Sequence, residues 1–216
     1  RSCTVDGTIS VLNCNDAYVG GIVGSGGGIR NCINEARMHV LSNKDGRYTN
    51  DGTVQCGGIV GAPGAVYGSI IECKNYGNVD AISGNYLYCG GISGEYGSIR
   101  RCINYGNVCG EITAPSGWSS FAGHCNVGGV VGATSGEVLY SVNHGNVKSC
   151  SLKSGSSFAG GIAGFNGYYG GGEINYCVNA GKSIISTGQK ENNGVYADIN
   201  AEVGRIAASS TKTENC

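Results

Sequence analysis

The chain has 216 residues, a formal net charge of −1 at pH 7 and a charged fraction of 13%, which is about half the share usual in globular domains. So little charge cannot gather phosphate backbones or anionic lipids, and the sequence contains no run of 18 apolar residues. We therefore expect neither nucleic-acid binding nor membrane insertion. The 41 glycines accompany only 2 prolines, which excludes a collagen triplet and a proline-rich disordered tract.

The first recurring element is a pentapeptide of the form Gly-Gly-Ile/Val-x-Gly. Successive copies are 37, 33, 38 and 32 residues apart, and the five copies begin at Gly20, Gly57, Gly90, Gly128 and Gly160. Repetition at a nearly fixed period is typical of a unit that buries its apolar face only by stacking on copies of itself. A few β-branched residues between glycines are too short for a helix and favour a short strand.

The second recurring element follows each pentapeptide and has the consensus G-x-I-x-x-C-x-N-x-G-x-V, clearest in residues 68–79 and 97–108. Its Asn-x-Gly portion is turn chemistry, and the alternating residues after it, such as 79–83, favour a third strand. Three short strands and three corners would close one coil. We therefore predict an all-β fold, a parallel β-helix or β-solenoid of about five to six coils, stapled by disulfides.

The repeat runs through nearly the whole chain, so we predict one domain, residues 1–216. Within it we expect an N-terminal cap at 1–18, five repeats at 19–187 and a C-terminal half-coil or cap at 188–216. The spacers between repeats vary most in length and content, notably at 43–54, 114–126 and 188–200. Such insertions project from one edge of a solenoid, where binding usually occurs.

One asparagine of the consensus is present in all five copies: Asn34, Asn75, Asn104, Asn143 and Asn179. Equivalent side chains in stacked coils lie about 4.8 Å apart, so the amides could bond along the axis as an asparagine ladder. Alternatively, each asparagine serves only the turn of its own coil.

The paired elements resemble the GLUG-motif repeats of secreted and surface proteins over about residues 19 to 185. The chain departs from that pattern in having Ile or Val in place of the usual Leu, and in its denser cysteines. The resemblance implies an extracellular repeat array of the kind found in adhesins or in the non-catalytic parts of larger surface proteins. It implies no catalytic residues.

The twelve cysteines contain no C-x-x-C spacing, which favours structural disulfides over zinc or redox chemistry and indicates an extracellular or cell-surface location. Cys56 and Cys89 each precede a pentapeptide in adjacent coils, at a separation suited to a disulfide. A second column contains Cys32, Cys73 and Cys102, followed by Ser141 and Cys177. Three stacked thiols cannot all pair with one another.

The terminal cysteines allow further pairings. Cys3 could join Cys14, and Cys216 could join Cys177 or Cys150. Twelve cysteines admit very many connectivities, so these pairings stay open.

Catalysis is not expected, because glycan-cleaving β-helices need converging carboxylates and the acids here are sparse. Only Glu137 and Glu173 share a column, and stacked surface glutamates are usually solvated. The histidines His39, His124 and His144 fall at different places in the repeat. We therefore predict no catalytic residue, no metal site and no cofactor.

The aromatic residues include 13 tyrosines against one tryptophan and 3 phenylalanines. Tyr76 and Tyr105 occupy the middle of Asn-x-Gly in adjacent coils, and Tyr168 and Tyr169 lie near a turn. They could stack at corners, or they could form a contact surface for glycans or proteins.

The function that we predict is an extracellular structural or adhesive module, which could be a fibre subunit. It would associate end to end with itself or with neighbouring domains of a larger surface protein, and its possible ligands include glycans. The alternative is a carbohydrate-binding or carbohydrate-active β-helix protein.

Overall fold

The computed structural model describes residues 2–14, 16–42, 53–62, 68–95, 97–113, 123–151, 155–167, 171–188, 201–210, 213–214 and 216. Thirty short strands and no helix occur in these ranges. The strands form five six-stranded sheets, and every neighbouring pair is parallel and in register. The predicted parallel β-solenoid is confirmed: the described chain winds through six coils.

Each coil contributes one strand to each sheet, and we number the sheets in the order in which the chain enters them. Sheet 1 contains β1 (Thr4–Val5), β6 (Ile33–Asn34), β11 (Lys74–Asn75), β16 (Ile103–Asn104), β21 (Val142–Asn143) and β26 (Val178–Asn179). Sheet 2 contains β2 (Thr8–Leu12), β7 (Arg37–Leu41), β12 (Val79–Ser83), β17 (Val108–Ile112), β22 (Val147–Ser151) and β27 (Ile184–Gly188).

The remaining three sheets follow along the coil. Sheet 3 contains β3 (Ala17–Gly20), β8 (Thr53–Gly57), β13 (Tyr86–Gly90), β18 (Gly123–Gly128), β23 (Gly155–Gly160) and β28 (Ala201–Gly204). Sheet 4 contains β4 (Val23–Ser25), β9 (Val60–Ala62), β14 (Ser93–Glu95), β19 (Val131–Thr134), β24 (Ala163–Asn166) and β29 (Ala207–Ser210). Sheet 5 contains β5 (Ile29–Arg30), β10 (Ser69–Ile71), β15 (Ser98–Arg100), β20 (Val138–Leu139), β25 (Ile174–Asn175) and β30 (Thr213–Glu214).

Each coil has five strands, whereas the sequence predicted three. The difference arises because each recurring element spans a bend. The pentapeptide at Gly57 contains the end of β8, a two-residue reversal and the start of β9. The second element likewise divides into β10 and the two-residue β11, on either side of Cys73.

The apolar core is divided into two clusters. One lies between sheets 2 and 3, where Val40 and Val54 are fully buried. The other contains the isoleucines of the pentapeptides, such as Ile59, together with Ile70 of sheet 5 and the cysteines that precede sheet 1. Because the two clusters are separate, the cross-section of each coil is narrow between its two halves.

Each coil is narrow where the second glycine of the pentapeptide contacts the consensus asparagine of the same repeat across the interior of the coil. A Cβ atom added to Gly91 would lie 2.2 Å from Cγ of Asn104 and 2.3 Å from the carbonyl oxygen of Gly129. Only glycine fits at such a distance. This close approach explains why a strand-rich chain tolerates so much glycine.

The terminal segments belong to the same stack. Strands β1 and β2 lie in the stretch predicted as an N-terminal cap, and they pair with β6 and β7. Strands β28, β29 and β30 lie in the stretch predicted as a C-terminal half-coil, and each continues one of the sheets.

Candidate functional site

The buried asparagines of sheet 1 form a continuous ladder along the solenoid axis. Each Nδ2 donates to Oδ1 of the next asparagine at 2.8–2.9 Å, through Asn34, Asn75, Asn104, Asn143 and Asn179. The Nδ2 of Asn75, for example, also donates to the carbonyl of Gly77 in its own turn, at 2.8 Å. The two roles that the sequence left open therefore coexist in one side chain.

A second asparagine ladder runs along the exposed side of the same corner. The backbone N–H of Asn107 donates to Oδ1 of Asn78 at 2.9 Å, and that of Asn146 donates to Oδ1 of Asn107 at 3.0 Å. Ser183 continues the pattern by donating to Oδ1 of Asn146. This ladder was not predicted from the sequence, although its signal is the last asparagine of the Asn-x-Gly-Asn motif.

Five exposed aromatic side chains form two stacks on the corners. Tyr76, Tyr105 and His144 lie with their rings nearly parallel, at centroid distances of 4.7 and 5.0 Å. Tyr140 and Tyr176 form the second stack, at 4.9 Å. Because adjacent rings cover one another's faces, mainly their edges remain available to a ligand. Tyr168 and Tyr169 lie outside the described residues.

The cysteines are all thiols in the structure. Cys56 and Cys89 are directly opposite one another in β8 and β13, as the repeat predicts. Cys3 lies beside Cys32, with 3.3 Å between the two sulfurs, and not beside Cys14, whose sulfur lies 3.9 Å from the carbonyl oxygen of Leu41.

The same column contains the other cysteines that precede sheet 1. The N–H of Cys32 donates to Sγ of Cys73 at 3.5 Å, and that of Cys102 donates to Oγ of Ser141 at 3.2 Å. At the far end, the N–H of Cys177 donates to Sγ of Cys216 at 3.4 Å. The structure thus brings Cys216 to Cys177, whereas Cys150 lies in sheet 2.

Three acidic side chains on the described surface make ion pairs with arginines instead of converging on one site. Arg100 contacts Glu137 at 2.5 Å, Arg101 contacts Glu72 at 3.4 Å, and Arg37 contacts Asp80 at 3.0 Å. Exposed pairs of this kind contribute about 0–1 kcal/mol each. Among the described residues, no group of three His, Cys, Asp or Glu side chains is placed to hold a metal ion.

A seam between sheets 3 and 4 contains buried polar groups whose proximity the sequence did not indicate. Gln55 donates to the buried carboxylate of Glu95 across this seam. Nearby in sheet 3, Oδ1 of Asn126 and Nδ1 of His124 are buried and have no hydrogen-bond partner among the residues described. Burial lowers the pKa of His124.

A shallow groove of about 230 Å³ lies on the outer face of sheet 5 and the corner that follows it. Its lining combines the charged side chains of Arg30, Glu72, Arg100 and Arg101 with Tyr140 and the apolar Ile71 and Leu139. Two of its arginines are engaged by glutamates. The groove offers cationic and aromatic contacts to a polar ligand.

No part of the described chain forms a helix of the length and apolarity that a bilayer crossing requires. Comparison with protein-family models, with curated proteins and with solved structures finds no match for this chain.

Proposed function

We propose that this protein is an extracellular structural or adhesive β-solenoid module that acts by stacking end to end. The partner would be another copy of the chain or a neighbouring domain of a larger surface protein. The observation that carries the proposal is that the core columns remain partly uncovered at both ends. Ile9 and Val11 are only partly buried in the first coil, and Ile184 and Ile206 in the sixth.

The open ends favour association because a terminal coil presents both apolar side chains and strand edges that have no further neighbour among the described strands. An uncovered strand edge is a template for pairing with another chain. Part of the described side wall is already engaged, because three ion pairs join neighbouring coils and five exposed rings stack on one another. The ends are where further contact would bury apolar side chains of the core columns.

Electron microscopy and sedimentation velocity of the purified chain test this proposal. Six coils at about 4.8 Å each give a height of roughly 29 Å, so stacked copies should form rods or filaments that lengthen in steps of that size. Oligomers should increase with protein concentration. A chain that stays monomeric at every concentration, and that also fails to bind the domains adjoining it in its gene product, would refute end-to-end stacking.

Glycan binding is the second candidate, and the groove over sheet 5 favours it. Arginine side chains beside the exposed edge of a tyrosine suit an acidic or polar saccharide, because guanidinium groups bind carboxylates and the tyrosine hydroxyl can hydrogen-bond a sugar hydroxyl. A glycan array read beside a reducing-sugar assay separates the cases. Binding without sugar release, lost in an Arg30→Ala variant, would support a lectin-like role, and turnover would support an enzyme.

A further inference from the structure

The column of residues that precedes sheet 1 has seven positions. They are Cys3, Cys32, Cys73, Cys102, Ser141, Cys177 and Cys216. Adjacent positions are in register on neighbouring parallel strands, so their Cα atoms lie about 4.8 Å apart. That separation is inside the range that a disulfide spans.

Ser141 divides this column into a run of four cysteines and a run of two. Each sulfur can reach only the neighbour above or below it. A run of four pairs completely only as first with second and third with fourth, because joining the middle two would strand both outer thiols. The run of two pairs in one way. The interruption by serine therefore leaves a single complete pairing of all six cysteines.

Thiol contacts are present within each of these pairs. The sulfurs of Cys3 and Cys32 are 3.3 Å apart, and thiol–thiol hydrogen bonds join Cys73 to Cys102 and Cys177 to Cys216. Cys73 also contacts Cys32, so the number of cysteines in the run, and not contact alone, excludes a Cys32–Cys73 link. Outside the column, Cys56 and Cys89 are in register and share a further thiol hydrogen bond. Their column continues as Val19 on one side and Val127 on the other, so this pair has no competing cysteine.

The other cysteines have no in-register cysteine neighbour. Cys109 is opposite Asp80 and Lys148, Cys125 is opposite Leu87 and Ser157, and Cys150 is opposite Glu111 and Thr187. Cys109 and Cys150 are offset by two residues, which puts them about 8 Å apart and beyond disulfide reach. The thiol of Cys14 points at the carbonyl of Leu41.

We propose that the chain carries four axial disulfides, Cys3–Cys32, Cys56–Cys89, Cys73–Cys102 and Cys177–Cys216, and that Cys14, Cys109, Cys125 and Cys150 remain thiols. The first three links join coils one to two, two to three and three to four. They make the first four coils one covalently closed block. No link crosses from the fourth coil to the fifth or from the fifth to the sixth.

The oxidant for each pair is a small disulfide such as oxidised glutathione. One cysteine thiolate attacks it, forming a mixed disulfide and releasing one glutathione thiolate. The neighbouring cysteine thiolate then attacks the protein sulfur and releases the second glutathione, so two thiols and one disulfide become one protein disulfide and two glutathione molecules.

The solvent exposure of the thiols decides the order in which the pairs can form. Cys3 and Cys216 are exposed, so the two outer pairs can close in the folded protein. Cys56, Cys73, Cys89 and Cys102 are fully buried, so the inner pairs must close before the coils are packed. The linkages depend on where the thiols lie and not on the adhesive role.

Peptide mapping of the full chain tests the proposal. The reduced protein is refolded with reduced and oxidised glutathione, denatured, alkylated without reductant and digested for mass spectrometry. We expect four alkylated cysteines and the four cross-linked peptide pairs named above. A Cys32–Cys73 or Cys3–Cys14 linkage, or alkylation of all twelve cysteines, would overturn the scheme.

Two variants sharpen the result. Cys102→Ser should add one alkylated cysteine, at Cys73 or, after exchange with Cys32, at Cys3, and should leave Cys56–Cys89 and Cys177–Cys216 intact. Cys125→Ser is the matched control and should keep all four linkages with three thiols remaining. If Cys102→Ser frees a cysteine outside this column, or if Cys125→Ser removes a linkage, the pairing is wrong.

Discussion

At the scale of single residues, one corner of every repeat depends on a left-handed backbone. The residue just before the cysteine column has φ between 53° and 57° at Asn31, Glu72, Arg101, Tyr140 and Tyr176. Asparagine adopts this conformation readily, whereas the larger side chains do so at a cost of roughly 1–2 kcal/mol. Contacts along the column offset part of this cost: Glu72 pairs with Arg101, and Tyr140 stacks on Tyr176.

Two adjacent arginines provide a matched test of this strain. Both make an exposed ion pair with a glutamate, but only Arg101 has positive φ. Arg101→Gly relieves the left-handed strain, whereas Arg100→Gly only weakens a strand. We expect Arg101→Gly to be the more stable variant by roughly 1–2 kcal/mol in chemical denaturation. Equal free energies of unfolding for the two variants would contradict a strained backbone at Arg101.

His124 gives the protein a pH dependence that can be isolated. Burial lowers its pKa below the ordinary 6.5, so the folded state takes up this proton less readily than the unfolded chain does. The associated stability is complete above about pH 6.5 and is lost as the pH falls from there through the lowered pKa.

The thermal midpoint, followed between pH 8 and pH 5 by circular dichroism, should therefore fall less in His124→Gln than in the parent chain. The matched control is His144→Gln, which replaces an exposed, stacked imidazole. Parallel profiles for the parent chain and His124→Gln would show that burial of this imidazole does not affect stability.

At the scale of the repeated elements, the two asparagine ladders differ in burial and therefore in how much each contributes to the free energy of unfolding. Asn104 is fully buried, and its side chain donates to Asn143 and to the carbonyl of Gly106 while accepting from Asn75. Asn107, three residues later, is exposed and accepts one backbone N–H. A buried group that loses its partner costs more than an exposed bond that water can replace.

We expect Asn104→Ala to lower the free energy of unfolding by about 2–4 kcal/mol, because it breaks three bonds and leaves a small void. Asn107→Ala should cost about 0.5–1.5 kcal/mol. Urea denaturation of both variants measures the difference. If the two losses are equal, the buried ladder contributes nothing beyond its local turn.

The sequence predicted the repeat, its parallel stacking and the ladder asparagines because each depends on residue type at a fixed spacing. It did not predict five strands, because a two-residue reversal such as Gly58-Ile59 looks like strand sequence until its partners are known. The contact between Gly91 and Asn104 was not predicted either, because it forms only when the coil closes across its interior. The contact between Cys3 and Cys32 was not predicted because the first coil begins before the first pentapeptide.

At the scale of the whole molecule, the residue columns that form the buried core of the middle coils are partly exposed in the terminal coils. The column through Val19, Cys56, Cys89, Val127 and Ala159 is buried. Val203 continues it in the sixth coil, and there the same inward position is 53% exposed. An inward-facing valine that meets solvent marks the place where another coil would fit.

Replacing this valine tests whether the sixth coil is a docking end. Val203→Lys puts a charge at the open end of the core column, where stacking would have to bury it without a partner, so end-to-end association should weaken at least tenfold. Ile185→Lys is the control, since Ile185 is 45% exposed in the same coil but continues the outward column of Lys148. Sedimentation velocity across a concentration series should show weaker oligomers for Val203→Lys alone, with thermal midpoints checking that both variants fold. Loss of association in both variants would place the contact on the side wall, and loss in neither would exclude the sixth coil as the docking end.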